Sequence, residues 1–261
     1  MKFGLIPDAP DPRDFPIERL LGAATPPTDA VHFLSYEEVL DSVLKQQAEN
    51  CVGCFVSNAV YVQAQIAKTP VTRPSAMGAY TLGRMLANAD LGMKGAPLVD
   101  NGSSARYVLQ AAARYGLVSM ERWPEDAKLA TEPVPLDVVG AASDAKVRTY
   151  YSVDGAPVQV LNHFIRALML GYIPGFGGPV DQRYLDLTGE YWAGCDPRDK
   201  VGYHQQTIIG FDMRRGCFLV LNSWGKEWAQ RGLCWVPFAF VTGEHCFSRF
   251  VLQSGPAESP H

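Results

Sequence analysis

The residues of this chain best suited to chemistry are two cysteines, Cys51 and Cys54, in the stretch QQAENCVGCFVSNAV, where a polar loop gives way to an apolar run. Cysteine can ligate a metal, exchange disulfides or attack a carbonyl, and each use demands its own surroundings. A structural zinc site needs four ligands, usually two such pairs or one pair plus two histidines. The other cysteines, Cys195, Cys217, Cys234 and Cys246, lie 22, 17 and 12 residues apart and form no second pair, so no metal site is expected. A redox pair would follow a strand of a βαβ unit, whereas SVLKQQAEN precedes this one. A place in the core suits Cys54, which has Val52, Phe55 and Val56 around it. Cys51 suits the core less well, because it falls on the first helical residue after Asn50. Free N–H groups and peptide dipoles at a helix start favour negative charge, which lowers a thiol's pKa. Position thus favours Cys51 as a nucleophile.

A nucleophile needs a base, and the base needs a group that orients it. Of five histidines, His163 lies within a helical pattern, His261 in the tail, and His32 and His245 have no distinctive neighbours. His204 opens HQQTIIGFD at the mouth of a strand, where a side chain can project into a cleft. Asn222 follows in NSWG, directly after the apolar run CFLVL.

The elements that must position these groups are legible in outline. Val52, Phe55, Val56, Ala59, Val60, Ile66 and Ala67 recur at three- and four-residue spacing, which predicts a helix from Cys51 with the side chain of Asn50 as its N-cap. Further helices are predicted over Ser104–Tyr115, stopped by Gly116, and over Val158–Leu170, stopped by Gly171. TIIGF, CFLVL, LCWV and FSRFVL predict strands, with a hairpin loop at Asp212–Gly216. Helices early and strands late predict an α+β chain. The expected division is an extended N-terminal arm (1–30), a mainly helical subdomain (31–140), a β-rich subdomain (141–252) and a flexible tail (253–261). TEPVPLDVVGAASD is the expected connection between the halves.

With 261 residues, 47% of them hydrophobic, the chain can bury one large core or two modest ones. A net charge of −4 argues against nucleic-acid or anionic-membrane partners. No apolar run is long enough for a secretory signal or a membrane span. Six cysteines fall far below disulfide-scaffold density, so a cytoplasmic protein with reduced thiols is expected.

Taken together, these residues resemble the papain-like cysteine peptidases over roughly Leu5 to Val251, and are most similar to a bacterial and phage-type branch without a long prosegment. IPDAPDPRDF resembles that branch's opening segment, and VLKQQAENCVGCFVSNAV the block around its nucleophile. DNGSSARYVLQAAARYGLVSMERWPED resembles its glycine turn and following helix. GYHQQTIIGFD resembles the histidine block, with His204 and Gly210 at the family's separation, and CFLVLNSWGKEWAQRGLCWVPFAFV the asparagine block. The branch follows its nucleophile with Val-Gly and, seven residues on, Asn-Ala. Cys51-Val52-Gly53 and Asn58-Ala59 match that register, whereas the papain-cathepsin form, a cysteine before an aromatic, would point to Cys54-Phe55. The chain departs from the pattern at Lys45 for aspartate, at Tyr203 for glycine, at Gln205 and Gln206 for small apolar residues, and by one loop residue between glutamine and nucleophile.

The resemblance implies a papain-like two-domain fold, with a helical left domain and an antiparallel β-barrel right domain flanking a cleft. It implies a peptidase acting on peptide or protein substrates through a Cys51–His204–Asn222 triad and a thioester, without cofactor. Gln46 is the implied oxyanion donor together with the Cys51 N–H, and Gln47 its alternate. Trp224 is implied to shield the Asn222–His204 bond, and Gly102 and Ser103 to hold substrate backbone. Singly, the glutamines suit a surface loop, Asn222 a strand-end turn and Trp224 a core; their joint order carries the reading. Two alternatives remain: a catalytically silent papain-fold binding or structural protein, and an amide hydrolase or acyl transferase acting on cell-wall peptides.

Overall fold

The computed structural model describes residues 2–8, 11–21, 31–140 and 146–255. Two short strands, β1 (Leu5–Ile6) and β2 (Phe15–Pro16), and the turn α1 (Glu18–Leu21) precede β3 (Val31–Phe33), the turn α2 (Tyr36–Val39) and helix α3 (Cys51–Ile66). Helix α4 (Ala76–Asp90), the short β4 (Ser103–Ser104), α5 (Ala105–Tyr115) and the turn α6 (Leu136–Gly140) complete the first half. The second half runs β5 (Lys146–Ser152), α7 (Pro157–Met169), β6 (Pro174–Val180), α8 (Gln182–Leu185) and β7 (Gly202–Asp212). It ends with β8 (Cys217–Leu221), β9 (Leu233–Pro237), α9 (Phe238–Thr242) and β10 (Phe247–Gly255).

Helix α3 is buried from Cys51 through Val60 and packs against α4, β7 and β10, so one element joins the helical half to the sheet. Phe55 lies on Gly175 of β6, where a Cβ would overlap its ring. Helix α4 was not legible in the sequence, because Gly78 and Gly83 interrupt its pattern and lower its propensity. Close packing is what these glycines provide. A Cβ on Gly83 would collide with Val108 of α5, and one on Gly53 with the Ala76 carbonyl of α4. Ser75 caps α4 through Gly78 N–H, and Ser104 caps α5 through Tyr107 N–H.

The sheet has the order β2-β5-β10-β6-β7-β8-β9, with β3 also paired to β7. It is antiparallel apart from the β2–β5 pair. Mixed helix and mostly antiparallel sheet make the chain α+β, but among the described residues the sheet stays open instead of closing into the expected barrel. The hairpin turn after β7 forms around Asp212, whose carboxylate accepts from the N–H groups of Arg214 and Arg215. Of the connection expected at 131–144, residues 136–140 form α6 and 141–144 lie outside the described residues. Strand β10 continues to Gly255, taking in the start of the expected tail; the rest of the tail also lies outside. Among the described residues, no helix is long and apolar enough to cross a membrane.

Candidate active site

At the start of α3, Cys51 is fully buried and its Sγ accepts from Gln205 N–H at 3.5 Å. Gln205 directly follows His204 on β7, so the start of α3 lies against the strand that carries the imidazole. Asn50 holds the N-cap position, but its side chain does not cap the helix as expected. Its amide donates instead to Glu125 Oε2 at 3.1 Å. Glu125 Oε1 accepts from Met77 N–H at 2.9 Å, so this buried carboxylate ties the starts of α3 and α4 together. Burial also pushes its pKa up. Nothing in WPED singles out a buried carboxylate, which is why sequence reasoning missed it.

His204 is buried, with Nε2 2.7 Å from Asn222 Oδ1. Ser223 N–H donates to the same oxygen at 2.8 Å, which fixes the amide's orientation. Nε2 must then carry the proton, leaving Nδ1 as the lone-pair nitrogen, and Nδ1 has no hydrogen-bond partner among the described residues. Trp224 stacks on the imidazole, with centroids 4.6 Å apart and planes at 28°. Gln46 comes in from the loop before α3, anchored by Ser223 Oγ–H, which donates to its Oε1 at 2.6 Å. Gln47 is exposed, and its amide donates to the nearby Lys45 carbonyl, away from the other groups. Cys54 is buried and its thiol pKa pushed well up by burial. All six cysteines are free, and no group of three or more His, Cys, Asp or Glu among the described residues could hold a metal ion.

Residues 2–8 lie against these groups, with Leu5 in the core and Phe3 packed on it. Gln46 Nε2 donates to the carbonyls of Lys2 (3.0 Å) and Phe3 (3.2 Å), and Trp224 Nε1 donates to Lys2 O at 3.1 Å. Gly4 O accepts from Ser103 N–H at 2.8 Å, Gly102 lies against the same carbonyl, and β1 pairs in parallel with β4. Gln46, Gly102, Ser103 and Trp224 thus all hold this arm.

Burial decides the electrostatics. A low-pKa thiolate was expected at the helix start, but loss of water pushes the Cys51 thiol up to about 12 despite the backbone N–H donors around it. The same burial drives His204 down to about 4, against the raising effect of Asn222. In the covered state the pair is thiol and neutral imidazole.

No family model matches the chain. Its fold is that of the papain-like cysteine peptidases. Xylellain, a cysteine protease from Xylella fastidiosa, superimposes with a TM-score of 0.76 at 19% identity, over 96% of this chain and 95% of that one. ProCathepsin B S9 from Trypanosoma congolense gives 0.68 at 12% identity, covering 98% and 87%. In sequence, the chain is 25% identical to the uncharacterized peptidase C1-like protein L477 of Acanthamoeba polyphaga mimivirus, over 96% of its own length and 86% of that protein's.

Proposed function

We propose that the chain is a cysteine peptidase that cleaves peptide bonds through Cys51, His204 and Asn222, and that residues 2–8 hold it in a covered resting state. The observation that carries this reading is the histidine tautomer. Asn222 fixes the proton on Nε2, which leaves Nδ1 as an unpartnered basic nitrogen on the residue directly before Gln205, whose N–H donates to the helix-start Cys51 Sγ. Once the arm is displaced, water returns and the helix start and imidazolium favour the thiolate. Sγ then attacks the substrate carbonyl, forming a C–S bond and an oxyanion that the Gln46 amide and Cys51 N–H receive. Collapse breaks the C–N bond, and His204 gives its Nδ1 proton to the leaving amine. Water, deprotonated at Nδ1, hydrolyses the thioester and restores the thiol. That Gln46 already grips two arm carbonyls supports its role as a carbonyl donor.

A second reading, a silent papain-fold binding protein, draws support from the covered and un-ionised pair. The test is labelling with a thiol-directed peptidyl electrophile, located by mass spectrometry, in full-length chain carrying Gly4→Ala. Any side chain at Gly4 overlaps the Glu49 carbonyl, and Gly4 sits at φ +106, so this change ejects the arm. Rapid labelling that Cys51→Ala abolishes and Cys54→Ala spares supports the peptidase. Labelling no faster than that of an ordinary free cysteine supports the binding protein.

A further inference from the structure

The arm leaves the imprint of a pocket. Leu5 is buried with its side chain over Gly177, where a Cβ would overlap Leu5 Cδ2 and lie 3.1 Å from Gln205 Oε1. The leucine methyl and the glutamine oxygen therefore face the same point above the sheet. Gly177 pairs with Gln205 on β7 and with Phe247 on β10, so the floor of the pocket is three adjacent strands.

Gln205 is 2% exposed, and its Nε2 donates to Ser248 O at 3.3 Å. Because a carbonyl can only accept, this bond fixes the amide with nitrogen toward Ser248 and oxygen toward Leu5. That oxygen has no partner among the described residues, and a buried acceptor without a donor is costly. Leucine, which has no donor, leaves it unsatisfied. Ser248 Oγ in turn donates to Asp8 Oδ2 at 2.9 Å, and Asp8 belongs to the arm. When the arm leaves, the hydroxyl loses that partner, while Asp11, Asp14 and Asp154 still line the cavity on its far side.

We infer that Gln205 and Ser248 form a specificity pocket for an uncharged carboxamide side chain, glutamine or asparagine, on the substrate residue that takes the place of Leu5. The substrate amide nitrogen donates to Gln205 Oε1, and its oxygen accepts from Ser248 Oγ–H. A lysine or arginine could donate to Gln205 Oε1 but has no acceptor to take the Ser248 Oγ–H that a carboxamide oxygen would receive. A leucine makes neither bond. This assignment deepens the peptidase reading and rests on it for the word substrate, but the pocket's chemistry can be tested without turnover.

The test begins with the full-length chain and Leu5→Gln, which puts a carboxamide into the pocket on the arm itself. Arm opening is followed as the rate at which iodoacetamide alkylates Cys51. One added hydrogen bond to a buried acceptor is expected to slow opening about tenfold. The slowing should vanish when Leu5→Gln is combined with Gln205→Leu. An unchanged or faster rate in Leu5→Gln, or equal slowing in both backgrounds, overturns the pocket. Peptides scanned with Gln, Leu and Lys at each position are then offered to the Gly4→Ala chain. Hydrolysis favouring Gln at one position, reversed by Gln205→Leu, is expected, and hydrolysis favouring Leu there overturns the assignment. Slowed opening with no hydrolysis of any peptide leaves the pocket standing and refutes the peptidase.

Discussion

Asn222 Oδ1 accepts from both Ser223 N–H and His204 Nε2–H, and those two bonds decide which ring nitrogen can act as base. Ser223 also anchors Gln46, so one residue between Asn222 and Trp224 holds both the Asn222 amide and the Gln46 amide in place. The two neighbouring glutamines should therefore behave very differently. In the Gly4→Ala chain, Gln46→Ala is expected to lower kcat by about 10²- to 10³-fold, as loss of one oxyanion donor does. Gln47→Ala, which touches only its own loop, should leave kcat within about twofold, as expected for an exposed surface change. Steady-state kinetics on a peptide substrate checks both.

The elements approach so closely that single carbons matter. With the Ala76 carbonyl against Gly53, the variant Gly53→Ala must push α3 and α4 apart, at an expected cost of about 1–3 kcal/mol read as a lower urea midpoint. Glu125→Ala removes the acceptor for Met77 N–H and for the Asn50 amide, leaving buried donors unpaired at two helix starts. A loss of about 1–3 kcal/mol is expected by the same measurement. The arm is an element of another kind, short and held by backbone carbonyls, the Asp8 carboxylate and the buried Leu5 side chain. Gly4→Ala should therefore lower the urea midpoint modestly, through loss of the Leu5 burial, while raising the rate of Cys51 alkylation.

At the scale of the molecule, the arm is a tie between the halves. Lys2 pairs with Asp100 at 3.1 Å, and Asp8 accepts from Ser104 and from Ala105 N–H on the helical side and from Ser248 on the sheet side. Covering the site also couples closure to pH. The covered His204, near 4, lies below its ordinary 6.5, so its contribution to closure is fully present above about 6.5 and is lost as pH falls toward 4. Cys51 acts in the opposite sense: held near 12 against 9.0, it weakens closure as pH rises beyond about 9. Each contribution changes by up to about 1.4 kcal/mol per pH unit. Hydrogen exchange at Ser103 N–H, corrected for its intrinsic rate, should show greatest protection between those limits. Protection that rises steadily on acidification would contradict the coupling.

By itself the sequence determined the helix that begins at Cys51, the strand that carries His204, the one that leads into Asn222, and their order, because those elements have clear apolar periodicity and the reactive residues sit at their ends. It also suggested Gln46 and Gln47 together without separating them. Tertiary structure alone set Gln46 against Ser223 and left Gln47 exposed, turned Asn50 from a cap to a partner of Glu125, and hid α4, whose glycines answer to neighbouring helices and not to local propensity. It decided the charge state as well. A helix start predicts an acidic thiol, but tertiary packing buries Cys51 completely, removes the water an ion needs and outweighs the helix.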